Sequence, residues 1–267
     1  MKRETADNMP TTHTSVKKSG WDSNLRKGYD DEAAQYDAKR YVSAEGRSFS
    51  RMEMRVLRER LTPSAGPRVL DVPAGTARLS IGLAESGAKV VAGDISLNML
   101  QMGVSKAGEN PDVPVTFAQV NVASLPFPDA TFDAVISFKF FHLIPNEVKP
   151  ALIREMARVL RPGGKLVAEF NSPYYGGVLA FFRYYFRKKH PGGMRMKCLF
   201  PDQIPSLFEG LSVVMRQGIK VPFGGALSLV LGESAVDSLS LWLGRVPAIR
   251  YLCYAIIIEA HKPARSA

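Results

Sequence analysis

The 267-residue chain predicts an α/β fold built on a doubly wound, mostly parallel sheet, and three stretches carry that prediction. Residues 68–94, RVLDVPAGTARLSIGLAESGAKVVAGD, read as strand, tight turn, helix and second strand. Phe132 to Phe138 is a near-continuous apolar run, as a central strand buried on both faces requires. Asn146 to Leu160 has the spacing and length of an amphipathic helix and leads through RPGG into another strand, so strands and helices alternate.

In chain order, residues 1–20 are polar, mix Thr, Ser and Lys, and are expected to form a disordered tail. Residues 21–60 supply N-terminal helices, among them the segment DDEAAQYDAKRY. Arg68 to Val72 is a short buried strand, Pro73 to Thr76 a sharp turn, and Ala77 to Ser86 a helix facing a sheet, stopped by Gly87. Lys89 to Asp94 is the next strand, and a strand–helix–strand unit of this kind is right-handed and parallel. Ligands in open sheets sit beyond the carboxyl ends of the strands, where Asp71, Gly75 and Asp94 fall. Val115 to Asn121 is a third strand. Further on, Pro162 ends the helix and the two glycines after it supply a turn that needs positive φ.

A nicotinamide or flavin site would show G-x-G-x-x-G after the first strand, and that pattern is absent. Residues 71–77 are D-V-P-A-G-T-A instead, which resembles the D/E-x-G-x-G-x-G motif of class I S-adenosylmethionine (SAM)-dependent methyltransferases with only Gly75 kept. Pro73 removes one N–H and fixes φ, which suits a point where a carbonyl faces the ligand's amino group. Ala77 adds a methyl group where the third glycine normally lets helix and strand approach. The resemblance continues from about residue 30 to 172. Asp94 follows Asp71 by 23 residues, DISLNML resembles D-x-S-x-x-M-L, and NVASLPFPDATFDAVIS resembles the D-A-x-x-L-P-F-x-D-x-x-F-D stretch of ubiquinone- and menaquinone-type methyltransferases, the methyltransferase type 11 group. Arg158 to Leu166 matches the family's R-x-L-R-P-G-G-x-L.

That resemblance implies a Rossmann-like, doubly wound seven-stranded sheet, mostly parallel with an antiparallel last strand, plus a helical cap. Residues 61–172 would be the SAM-binding core. Residues 173–267 would add strand six at Leu211 to Pro222, strand seven at Tyr251 to His261 as an antiparallel edge, and between them apolar helices over Phe223 to Val246 that shape the acceptor pocket. The implied cofactor is SAM, whose ammonium and sulfonium suit acid-tipped strands that would repel a diphosphate. Its expected contacts are Asp71, Pro73, Ala74 and Gly75 in the first turn, Asp94 at the ribose with Ile95 and Met99 beyond it, and Phe138 as a wall. Asn121, in place of the family's acid, and Val122 would meet the adenine edge, the amide oxygen accepting the amino hydrogen. Tyr36, in a segment like the A-x-x-Y-D that closes over SAM in relatives, would offer its face to the sulfonium, with Arg40 one turn on. His142, after strand four, is the candidate general base, or else hydrogen-bonds backbone near SAM. His190, Tyr174 and Tyr175 either line the acceptor pocket or serve packing. Asn171-Ser-Pro-Tyr174 resembles the N-P-P-Y tetrad of amino-methyltransferases but follows strand five and lacks the first proline, so a base-amine target is not expected.

Composition bounds the rest. Cys198 and Cys253 form no C-x-x-C pair and no histidines cluster near them, so neither a metal nor a disulfide framework is expected and the default setting is cytoplasmic. The N-terminus has no apolar h-region, and the greasiest stretch, Leu239 to Ile258, is broken by Arg245 and Arg250. The net charge of +10 is uneven: residues 61–160 hold 8 cations against 9 acids, residues 161–267 hold 14 against 6. The excess concentrates in FFRYYFRKKHPGGMRMK, residues 181–197, which could dock peripherally on an anionic membrane, hold a phosphate, follow a nucleic-acid backbone, or be a solvated face. The function expected is methyl transfer to a small apolar or amphipathic acceptor: a quinone precursor, polyketide, isoprenoid or lipid. An RNA-directed methyltransferase and a non-catalytic SAM-fold binding protein stay open as alternatives, with nucleic acid the less expected partner. The oligomeric state leaves no signal in the sequence.

Overall fold

The computed structural model of the chain describes residues 20–61, 66–110, 112–175, 198–199, 203–222 and 224–264. The N-terminal part is helical: α1 (Trp21–Glu32), a 3-10 turn (Ala33–Gln35), α2 (Tyr36–Tyr41) and α3 (Ala44–Leu61). Alternating elements follow: β1 (Arg68–Asp71), α4 (Arg78–Ala84), β2 (Lys89–Asp94), α5 (Leu97–Gly108), β3 (Val115–Gln119), β4 (Phe132–Ser137), α6 (Lys149–Val159) and β5 (Leu160–Asn171). The C-terminal part adds β6 (Ser212–Ile219), three helices, α7 (Gly224–Leu231), α8 (Glu233–Leu243) and α9 (Pro247–Leu252), and finally β7 (Ala255–His261). The basic segment 181–197, with His190, and residues 1–19 of the N-terminal tail lie outside the described residues.

The seven strands form one sheet in the order β3-β2-β1-β4-β5-β7-β6. Neighbouring strands from β3 to β5 pair in parallel, and β7 runs antiparallel to both β5 and β6. The reversed strand is therefore not the edge that the sequence suggested. It lies one place in, because its side chains from Ala255 to Ala260 are all buried, and the half-exposed β6 covers its outer side. The order reverses between β1 and β4, which opens a crevice at their carboxyl ends. Side chains alternate across the sheet: Val135, Leu166 and Ala168 face one core, and Ala134, Ile136 and Val167 face the other, against α3.

Several boundaries differ from the sequence expectation for local reasons. Ala77 is outside α4, at left-handed φ 58, and its Cβ has room because α5 presents Gly103 there; a Cβ on Gly103 would lie 2.9 Å from that of Ala77. Helix α6 starts at Lys149 rather than Asn146, after a turn in which the Val148 N–H donates to the Pro145 carbonyl. The R-P-G-G residues do not interrupt β5, since the Gly163 N–H donates to the Lys262 carbonyl and the Lys262 N–H to Gly164, extending the ladder past Gly163 at φ 76. Tyr251 and Leu252 close α9, which Pro247 starts, rather than opening β7.

Candidate functional site

The crevice is a cavity whose empty space, open solvent at its mouth included, is about 730 Å³. Its floor is the first turn. The Ala74 N–H donates to the Gly93 carbonyl (2.8 Å), the Gly75 N–H to Asp94 Oδ2 (2.8 Å), and Gly75 takes φ 56, which glycine adopts without a steric cost. The Val72–Pro73 peptide is cis. Asp94 Oδ1 accepts from the Ser96 N–H at 2.9 Å, so one carboxylate braces both loops. Asp71 is 2% exposed and accepts from the Ser80 hydroxyl at 2.7 Å.

Neither acid has a cation against it in the structure, and burial dominates both. It pushes Asp71 up to about 7, against the pull of the Ser80 hydroxyl and Arg78, and Asp94 up to about 6, against the Ser96 and Gly75 N–H groups. Two buried acids held by neutral donors form a floor that favours a cationic group above it.

The N-terminal helices close over this floor through three acids. Asp22 accepts from the Asn121 amide, Asp30 from the Ser96 hydroxyl (2.6 Å), and Asp37 from the Thr76 hydroxyl (2.8 Å) while pairing with Lys106. They thereby bring Leu25, Tyr29, Tyr36 and Tyr41 to the cavity wall.

Nine of the expected contacts line this one cavity: Tyr36, Asp71, Pro73, Ala74, Gly75, Asp94, Ile95, Met99 and Phe138. Asn121 and Val122 do not. The Asn121 amide oxygen caps the Ala123 N–H at 2.9 Å and its NH₂ goes to Asp22, while Val122 is packed in the core. His142 does not line the cavity either. It sits buried in the 3-10 turn Phe141–Leu143, and Phe140 and Leu143 occupy the wall on either side of it. Arg40 stacks 4.4 Å from the Tyr36 ring centroid and pairs with Glu32 at 3.2 Å, behind the wall. Tyr174 is exposed, and Tyr175 packs edge-on against Tyr254.

Sequence reading missed Tyr29, Tyr41, Arg78 and Lys139 in the wall and Glu53 behind it. One signal was available: Phe49, Met52, Glu53, Val56 and Leu57 form the buried stripe of α3, and a glutamate inside such a stripe needs partners in the fold.

Residues 69–164 match the family model described as a methyltransferase domain. The chain is 37% identical over 185 residues to a demethylmenaquinone methyltransferase of Corynebacterium urealyticum, covering 68% of this chain and 75% of that one. A second, of Mycolicibacterium gilvum, is 37% identical over 185 residues, 68% and 76% of the two chains. The chain belongs to the class I SAM-dependent methyltransferases. Among solved structures, the methyltransferase superposes on the [4+2]-cyclase SpnF with TM-score 0.65 (19% identity; 90% of this chain, 95% of that one). It superposes on magnesium protoporphyrin IX methyltransferase from Synechocystis with bound SAH at 0.62 (19%; 90% and 99%). At these identities the likeness shows the fold. The methyltransferase's cofactor is SAM, and a floor of two buried acids, neither of them ion-paired among the described residues, fits a ligand that carries an ammonium and a sulfonium.

Proposed function

We propose that this methyltransferase transfers the methyl group to a quinone precursor of the menaquinone kind. The observation that carries the reading is the 37% identity over 185 residues to enzymes named for demethylmenaquinone. The apolar far wall of the cavity, Leu25, Phe138, Phe140 and Leu143, supports it. A lipid-borne acceptor also accounts for side chains otherwise costly to leave in water: Leu229 and Val230 of α7 are 88% and 85% exposed, and Trp242 of α8 is exposed beside them in sequence order. No helix among the described residues is long and apolar enough to cross a membrane.

SAM supplies an electrophilic methyl group on sulfur. In this reading Asp94 orients the ribose, Asp71 and the Ala74–Gly75 turn hold the amino-acid end, and the Tyr36 face lies against the sulfonium. Most of the acceleration then comes from alignment and exclusion of water by the helical lid. The test is incubation of the purified protein with SAM and chemically reduced demethylmenaquinone. Menaquinol and S-adenosylhomocysteine should appear in equal amounts by mass spectrometry. Absence of menaquinol, with transfer to a polyketide, isoprenoid or RNA acceptor instead, overturns the acceptor assignment.

A further inference from the structure

The densest cluster of buried charge lies beside the nucleoside crevice, where β4 and β5 end. Lys139, two residues past β4, lines the cavity and holds φ 55, a left-handed backbone uncommon for a residue with a side chain. Its ammonium stands 3.3 Å from Glu53 Oε1, 3.3 Å from Glu169 Oε1 and 3.2 Å from the Phe49 ring centroid. Glu53, fully buried on α3, also takes the guanidinium of Arg78. Glu169, 2% exposed on β5, has only the Lys139 ammonium and Glu53 beside its carboxyl group among the described residues, and two residues on along the same face of the strand no donor among them reaches Asn171 Oδ1.

The sheet order separates this cluster from the ribose end. Asp94 is on β2 and Asp71 on β1, whereas Lys139 follows β4 and Glu169 is on β5, across the switch point. Charges there do not cancel. Burial would push Glu53 up, but Lys139 and Arg78 outweigh it and hold Glu53 ionised. Glu169 is pushed up by burial, more than Lys139 can offset, with Glu53 adding to the rise, which favours its neutral form near pH 7. Two cations then face one anion. Of the other groups round the cluster, Lys220, past β6, pairs with Glu45 of α3 at 2.7 Å, Tyr41 of α2 and Tyr254 before β7 are uncharged rings, and Asp71, which feels both Arg78 and Glu53, is itself pushed up to about 7 by burial.

We propose that the Lys139 ammonium seats an oxyanion of the acceptor, of phenolate or enolate class, with Glu53 and Glu169 as positioning residues behind it. The proposal rests on the acceptor reading above, since an ionised quinol oxygen is such an anion. It also gives the left-handed backbone at Lys139 a use, because that conformation turns the residue between the carboxyl pair and the cavity.

The test uses the protein saturated with S-adenosylhomocysteine. It is titrated, by visible absorbance, with 2-hydroxy-1,4-naphthoquinone, an anion at neutral pH, and with its neutral methyl ether. The anion should bind at least about tenfold more tightly at pH 7, a difference of about 1.4 kcal/mol, and the preference should shrink at pH 9 as Glu169 ionises and neutralises Lys139. Lys139→Met should abolish the preference and leave S-adenosylhomocysteine affinity within about twofold. Glu169→Gln, a neutral near-isostere that keeps the packing, should hold the preference at pH 9.

Equal binding of the two quinones, or binding of neither, overturns the seat. So does a Lys139→Met protein that loses S-adenosylhomocysteine affinity while keeping the anion preference, which would assign the ammonium to the cofactor's carboxylate. Anion preference without methylation of the quinol removes the menaquinone reading and leaves the seat standing. Methylation of the quinol with equal binding does the reverse.

Discussion

Acids are buried at both halves of the sheet's carboxyl edge, and the two halves treat them in opposite ways. Under β1 and β2, Asp71 and Asp94 receive hydrogen bonds from a serine hydroxyl and from backbone N–H groups, all neutral donors, and their ionisation is held back by burial. Under β4 and β5, Glu53 and Glu169 meet Arg78 and Lys139, cations built into the fold. Backbone geometry makes the first half and side-chain charge the second. A cationic cofactor therefore has somewhere to put its charge on one side, and on the other an anionic oxygen does.

The largest effect is expected on the charged side. Glu53→Leu removes the carboxylate that pairs with both Arg78 and Lys139, and losing one partner of a buried ion pair costs about 3–5 kcal/mol. Urea denaturation should show that loss in the midpoint; a change below about 1 kcal/mol would mean the cluster is wetter than its burial implies. On the neutral side, Asp94→Ala removes the acceptor of two loop N–H groups along with the proposed ribose contact. Calorimetry should find SAM bound about 10- to 100-fold more weakly, from about 1.5–3 kcal/mol of charged hydrogen bonding. An unchanged dissociation constant would place the ribose elsewhere.

The third comparison is in pH. The folded-state values of Asp71 and Asp94 lie above those of an unfolded chain, so below about pH 6 both are protonated and the cavity offers a cation no charge. SAM affinity should rise from pH 6 to pH 8, by about tenfold if Asp71 alone must ionise, with proton release detectable by titration in buffers of different ionisation enthalpy. The same sign makes these two groups lower the stability of the ligand-free protein as pH rises from about 4 to 7, because the native state must then give up protons that burial made it keep. A flat SAM affinity across this range would place the cofactor's charges away from Asp71. The smallest effect concerns the first turn: Gly103→Ala presses a new methyl group on Ala77 and Phe117. Overpacking there should cost about 1–3 kcal/mol, less the roughly 1 kcal/mol gained from helix propensity. Ala77→Gly in the same background should restore part of the loss, since glycine accepts the left-handed conformation and removes one colliding Cβ while the Phe117 contact stays.

What could be read from the sequence alone was whatever local chemistry dictates. Strand β2 falls at Lys89–Asp94 as its pattern says, and the acids at the ends of β1 and β2 mark the crevice because a carboxyl-terminal strand end is a fixed place in an open sheet. Nine cavity residues were expected from the family resemblance, carried by the first turn, the two strand ends, the DISLNML stretch, the end of the fourth strand and a tyrosine in the N-terminal helices. Where a side chain had a choice of partners, spacing was silent. Asn121 spends its amide on Ala123 and Asp22, His142 is folded behind Phe140 and Leu143, and β7 slips inside β6, each decided by neighbours distant in sequence. The Lys139–Glu53–Glu169 cluster is the clearest case. Its members come from β5, α3 and the loop after β4, more than eighty residues apart at the first gap, and only packing these elements together sets the Lys139 ammonium between two buried carboxyl groups.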